Sequence, residues 1–311
     1  MKHIALIVRG MVFWLALLPF GQALAEISIT LNNSFIEKYK NRATIDAKFI
    51  VDHSKGKPNP ASKDGDMHVA GRDAKNIGMA AVAEIMNAKN HPDAVEAANN
   101  AAGTNSPISI SGAWRIWNEH GGDNVFVQGK PIAAAQSSNP DHVFEIHPVT
   151  EIGGIDIRAS FQPIPGYDAK KPEDAFPRYE NVRSKIIPKS GKVTIVSNGI
   201  GYNYVNFQMV LNEKPFKISD GAVAKARIQD QEGHLLLRNK RMVFVKDTPP
   251  EVAVRDGKGG DCLRVLGIPR LDLALVAWRV KNRGDEREPL NWNLPYEIIV
   301  VGVYPEPCEE D

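Results

Sequence analysis

Histidines and carboxylates recur in this sequence at a spacing that matters on a β-strand. Asp66 and His68 are two residues apart, and so are Glu145 and His147. Side chains at i and i+2 of a strand point to one face. Glu84 and the pair Glu119-His120 add two more acids and another imidazole. Imidazole and carboxylate together suit zinc or another divalent cation. They also suit general acid–base work, because a neighbouring carboxylate orients a histidine and raises its pKa. Asp66, His68, His120, Glu145 and His147 are therefore the candidate ligands of a divalent metal. The same residues have a structural reading, which is the stronger one: a half-buried Glu–His pair fixes a barrel seam by hydrogen bonds and helps to define register.

A second group is Trp114, Arg115, Trp117 and Glu119. Aromatic residues alternating with arginine on a barrel face can stack on bases or sugars, so these four are candidate ligand-binding residues. Trp114 and Arg115 face opposite sides of a regular strand, which assigns one tryptophan to core packing. Several motifs are absent: a G-x-S-x-G nucleophile elbow, a phosphate-binding G-x-x-x-x-G-K-[ST] loop, an H-E-x-x-H pair and a Cys-x-x-Cys redox pair.

The elements that would position these residues are mostly strands. Residues 43–51 alternate apolar and polar with period two. Further strands are expected at 66–73, 77–86, 108–117 and 143–152. Pro92-Asp93 opens an alanine-rich stretch that ends at Gly103, the punctuation of a helix. Strand, strand, strand, helix, strand, strand is the element order of an OB-fold, a five-stranded barrel. Its ligand loops would be residues 53–65 and 121–141. Residues 156–190 carry Pro163, Pro165, Pro172, Pro177 and Pro188 and read as a linker or irregular arm. Strand-like runs follow at 193–197, 202–211, 222–228, 235–245, 263–280 and 296–304, with turn signals between most of them, as in an antiparallel sandwich or barrel. The stretch from Arg270 to Val280 fits a helix equally well. No internal repeat is visible between the halves.

Four segments of residues 62–152 carry a resemblance: Gly65-Asp66-Met67-His68-Val69, Val82-Ala83-Glu84-Ile85, Gly112 to His120 (GAWRIWNEH), and His142 to Val149 (HVFEIHPV). The chain here resembles OB-like domains of exported bacterial proteins of mostly unassigned function. The resemblance implies a fold more than an activity. Where other members carry Pro and Cys after the third-strand glutamate, this chain has Met86 and Asn87.

The N-terminus reads as an export signal, with Lys2 and Arg9, an apolar run from Met11 to Phe20, and Ala23-Leu24-Ala25 before a cut at Glu26. The run is about half the ~20 residues that span a bilayer, and no other stretch is long and apolar enough to do so. The expected organisation is a signal peptide at 1–25, an OB-like domain at 26–155, the Pro-rich arm at 156–190 and a β-rich domain at 191–311. Removing Lys2 and Arg9 from the 38 basic residues leaves 36 against 37 acidic ones, which argues against nucleic acid as a partner. Cys262 and Cys308 are the two cysteines, and an exported compartment would oxidise them to a disulfide. The sequence therefore points to a periplasmic or secreted, mainly β protein. Its expected role is a non-catalytic module binding an unknown protein or small ligand of the envelope. The alternative is a metal-dependent hydrolase using the His/carboxylate cluster.

Overall fold

The computed structural model describes residues 26–122, 124–201, 203–282 and 290–308. The expected export signal, residues 1–25, lies outside the described residues. In chain order the first half runs β1 (Glu26–Asn32), α1 (Asn33–Tyr39), β2 (Thr44–Ser54), β3 (Met67–Arg72), β4 (Ala80–Ile85), α2 (Pro92–Ala101), β5 (Pro107–Ile116), β6 (Val125–Val127), β7 (Phe144–Ile152) and β8 (Ile155–Asp156). The period-two pattern of β2 buries Ile45, Ala47, Phe49 and Val51 and leaves Asp46 and Lys48 exposed. Proline in the first turn of α2 and Gly103 at φ +73° beyond its end bound that helix. Antiparallel pairs β2–β3, β3–β4, β2–β5 and β5–β7 are closed by the parallel pair β4–β7. This is a five-stranded barrel of OB type, with α2 between its third and fourth strands.

Residues 156–190 are not an irregular arm. They hold β8, a 3-10 turn at Arg158–Ser160, α3 (Pro172–Asn181) and β9 (Arg183–Lys189). Their prolines are compatible with structure: Pro172 lies in the first turn of α3, where no backbone donor is needed. The chain continues through β10 (Lys192–Asn198), β11 (Val205–Leu211), β12 (Phe216–Ile218), β13 (Gly221–Gln229), β14 (Leu235–Val245), α4 (Pro249–Val254), β15 (Cys262–Leu271), α5 (Leu273–Lys281), β16 (Leu290–Asn293) and β17 (Tyr296–Val303). The run expected at 263–280 is split, because the Asp272 side chain caps α5 by accepting from the Leu275 N–H.

Of the two forms expected for the second half, the barrel is the one found. β11 pairs with β13 and β15, β13 with β14, and β15 with β17, all antiparallel, and the parallel pair β14–β17 closes the ring. The strand order matches the first barrel, and α4 again lies between the third and fourth strands. The registers match too. Arg115 on β5 faces Glu145 on β7, and Arg270 on β15 faces Glu297 on β17. A Cβ on Gly112 would lie 2.6 Å from Ile146 Cγ2, and one on Gly267 would lie 2.6 Å from Ile298 Cγ2. Each glycine sits at a register shift between the fourth and fifth strands. The repeat unseen in the sequence is thus present in the topology.

A third sheet, ordered β16-β9-β10-β1-β6, ties the barrels together. Each barrel supplies one edge strand from the loop between its fourth and fifth strands, β6 from the first and β16 from the second. The loop at 121–141, expected to meet ligands, is therefore partly pinned. Gln128 adds to this, donating to the Ile77 carbonyl at 2.7 Å and accepting from the Asn32 N–H at 2.9 Å. Cys262 and Cys308 form a disulfide that fastens the tail to β15.

The barrels meet through strand faces that would otherwise be wet. Ala43, Met86 and Ala113 of the first half pack with Val243, Leu266, Ile268, Ile299 and Val301 of the second. Ile298 and Val300, on the other face of β17, belong to the main core. Reciprocal polar links flank this seam. Tyr204, just before β11, donates to Asp66 at 2.6 Å. Asp220, just before β13, accepts from Arg42 Nε at 2.8 Å and from the Thr44 N–H and hydroxyl, each at 2.8 Å.

Burial alone would raise the Asp220 pKa, but the hydrogen bonds from Arg42, Thr44 and Ala43 hold it below the ordinary carboxylate range. A depressed folded pKa contributes stability that is present above the unfolded value, about 3.9 for Asp, and is lost as pH falls through the folded value. Asp220→Asn should therefore cost about 1–3 kcal/mol at neutral pH. The difference from wild type should shrink as pH drops below 4. Denaturant unfolding at pH 7 and pH 3 measures both; an equal loss at the two pH values would refute the charge-based account.

Candidate functional site

β3, β4, β5 and β7 of the first barrel turn one set of side chains outward, toward the second barrel. His68 pairs with Glu84 across β3–β4, and Arg115 with Glu145 across β5–β7. His147 lies two residues beyond Glu145, on the same face. Asp66, Glu145 and His147 are 0–1% exposed and Glu84 is 3% exposed. The structure thus brings three of the five expected metal ligands, Asp66, Glu145 and His147, into one buried cluster. His68 stands at its rim, 3.6 Å from Glu84. His120 lies outside it, its ring stacked on that of His142 at 5.1 Å.

The hydrogen bonds assign protons. The single Tyr204 hydroxyl proton goes to Asp66 Oδ2, so the hydroxyl oxygen accepts from His147 Nε2 at 2.7 Å. His147 Nδ1 faces Glu145 Oε2 at 3.2 Å and Glu84 Oε2 at 3.5 Å. Both ring nitrogens therefore donate, and His147 is an imidazolium. Its burial disfavours charge, but Glu84, Asp66 and Glu145 outweigh that and hold its pKa well above the ordinary histidine range. Burial works against charge on His68 too, yet Glu84 brings it up to about 9. Burial pushes Asp66 up to about 6, against the pull of His147. Glu84 is held down at about 2: burial would raise it, and His147 and His68 prevail. Glu145 also feels burial first, but the Arg115 guanidinium beside it keeps it far below the usual carboxylate range.

Arg115 is the cation at the centre. It donates to Glu145 at 2.5 Å, to Glu119 at 3.0 Å and, through Nε, to the Pro269 carbonyl at 2.9 Å. Trp114 and Arg115 are 0% and Trp117 is 1% exposed. These three do not form a ligand face, because the second barrel and the strands around it occupy that face. Trp114 carries the Arg270 guanidinium stacked on its ring at 3.6 Å. Glu119 keeps an exposed edge, with 18% of its side chain accessible.

Three members of the cluster were not among the expected ligands. Glu84 was visible as a third-strand acid, and the strand register now places it against His68. His142, three residues before Glu145, is a signal that the spacing contained. Tyr204 lies 138 residues from Asp66, and no local pattern marks it. No protein-family model matches the chain, and no curated protein matches it.

Among the described residues, one ligand atom each from Asp66, Glu84 and His147 lies within 4.8 Å of the others, and so does one each from Glu84, His142 and Glu145. The buried groups could thus hold a metal ion. Four surface cavities are lined by other residues. A large effect of a single change is expected at Arg115. Arg115→Met leaves Glu145 buried without its cation, which should cost about 3–5 kcal/mol in equilibrium unfolding. A loss below about 1 kcal/mol would show that the pair carries little of the interface.

Proposed function

We propose that this protein is an exported, non-catalytic binding or protein-interaction module, in which two OB-type barrels are locked into one body. The burial of the His/carboxylate cluster carries this reading. Hydrolysis at a metal needs an open coordination position for water and substrate. Here Asp66, Glu84, Glu145 and His147 are at most 3% exposed, and Tyr204 and the second barrel cover them. The competing metal-dependent hydrolase reading combines Asp66, Glu145 and His147 with His68 and His120, and its three buried members lack that opening.

The binding surface proposed in its place is the polar groove between the barrels. A cavity of about 310 Å³ has walls from both, including Thr44 and Ser111 from the first and Ser219 and Lys246 from the second. It continues into a neighbouring cavity of about 410 Å³ through Ser219 and Lys246. Charges of both signs line it, among them Asp46, Glu151, Arg158 and Lys246, so a polar ligand or a mixed-charge partner segment fits better than a polyanion. The disulfide supports an oxidising destination. Among the described residues, no helix is long and apolar enough to cross a membrane.

Two measurements test the reading. N-terminal sequencing of the protein recovered from outside the cytoplasm should begin at Glu26; an intact Met1 there refutes the cleaved signal. A photo-crosslinking residue at Lys246, in the groove, should give a discrete adduct in cells that the same residue at Glu37, on α1, does not. Identical patterns from the two positions would remove the groove from consideration.

A further inference from the structure

The second barrel is an internal control for the first. With Arg115–Glu145 set against Arg270–Glu297, the strand registers carry the match further. Ala83 and Met242 each face the corresponding isoleucine of the fifth strand, Ile146 and Ile298, which puts Glu84 opposite Val243. His68 pairs with Glu84 as Val223 pairs with Val243. Along the fifth strand, His147 falls opposite Ile299, and His142, three residues before Glu145, opposite Leu294. The second barrel covers this face with aliphatic side chains. The fold therefore has no need of charge at His68, Glu84, His142 or His147, whereas the Arg–Glu pair common to both barrels belongs to the scaffold.

His142 shows what the extra polar groups are for. It is 0% exposed. Its Nδ1 lies 2.7 Å from the Pro140 carbonyl, which can only accept, so Nδ1 carries the proton. In the neutral ring Nε2 is then a lone pair, and it has no hydrogen-bond partner. It points at Glu145 Oε1, 3.4 Å away, another acceptor. Glu84 completes the triangle within 4.8 Å. His147 Nδ1 and His68 Nε2 stand 3.5 and 3.6 Å from Glu84 Oε2, the outer edge of hydrogen bonding. An imidazole whose far N–H is fixed by a carbonyl, with its lone pair turned to two carboxylates, has the orientation of a metal ligand.

We propose that Glu84, His142 and Glu145 bind a zinc ion as a structural tie beneath the barrel seam. The mixed imidazole and carboxylate donors suit zinc. The site is sealed, so the ion is not catalytic. This inference does not depend on what occupies the groove.

The test uses the mature chain made without affinity histidines, stripped with chelator, incubated with zinc sulfate and passed through gel filtration. Elemental analysis should find close to one zinc per chain, and cobalt in its place should give visible absorption bands. His142→Leu and Glu84→Val copy the residues of the second barrel, so both should fold, as circular dichroism will show, and both should lose the ion. Wild-type protein that holds no zinc after loading overturns the proposal by itself, whether or not a variant folds. Zinc retained by both folded variants overturns it as well, and protons alone would then hold the cluster together.

Discussion

Two arginines cross the seam between the barrels in opposite directions. Arg115 of the first donates to the Pro269 carbonyl of the second, and Arg270 of the second donates to the Trp114 carbonyl of the first at 3.0 Å. Each guanidinium is held on its own barrel by a fifth-strand glutamate, Glu145 or Glu297, at 2.5 and 2.7 Å. A buried guanidinium is tolerable only with such partners, because an unpaired charge out of water is strongly destabilising. The two barrels are thereby coupled: separating them would strip carbonyl acceptors from both arginines at once. The aliphatic seam around Leu266, Ile268, Ile299 and Val301 supplies area, and the arginine exchange supplies register.

The same exchange exposes a division of labour between two barrels of one topology. The Arg–Glu pair and the close-packed Gly112 and Gly267 are shared. At the positions of His68, Glu84, His142 and His147 the second barrel carries Val223, Val243, Leu294 and Ile299. Barrel closure alone can be achieved with Val223, Val243 and Ile299, so His68, Glu84 and His147 represent a specialisation of the first barrel. Polar groups buried this deeply must satisfy one another or bind something that satisfies them. His147 and Tyr204 do the former, in a chain that ends on Asp66 Oδ2 and bridges the seam.

That arrangement separates two roles that the sequence had superimposed. The residues most suggestive of chemistry are the least accessible, while the mixed-charge groove at the barrel junction is open to solvent. The third sheet reinforces this. By drawing β6 and β16 out of the fourth-to-fifth-strand loops, it uses in structure the loops through which OB-type barrels commonly meet ligands.

The sequence by itself determined the local elements. Alternation marked β2, and Pro92 and Gly103 bounded α2, because these signals arise from side-chain periodicity and backbone geometry within a few residues; the disulfide was indicated by there being two cysteines and an expected oxidising compartment. It also marked Asp66 with His68, and Glu145 with His147, as one-face pairs. Proline density misled at 156–190, since a proline in a first turn looks the same in a sequence as one in a loop. What only the tertiary structure decided was which faces meet. Tyr204 reaches Asp66 from 138 residues away, and Arg115 reaches Pro269 from 154. The doubled architecture was hidden for the same reason: Glu84 and Val243, or His147 and Ile299, share a backbone position but not a chemistry. Strand register and barrel closure fix that position through hydrogen bonds between backbones, which are indifferent to the side chains they carry.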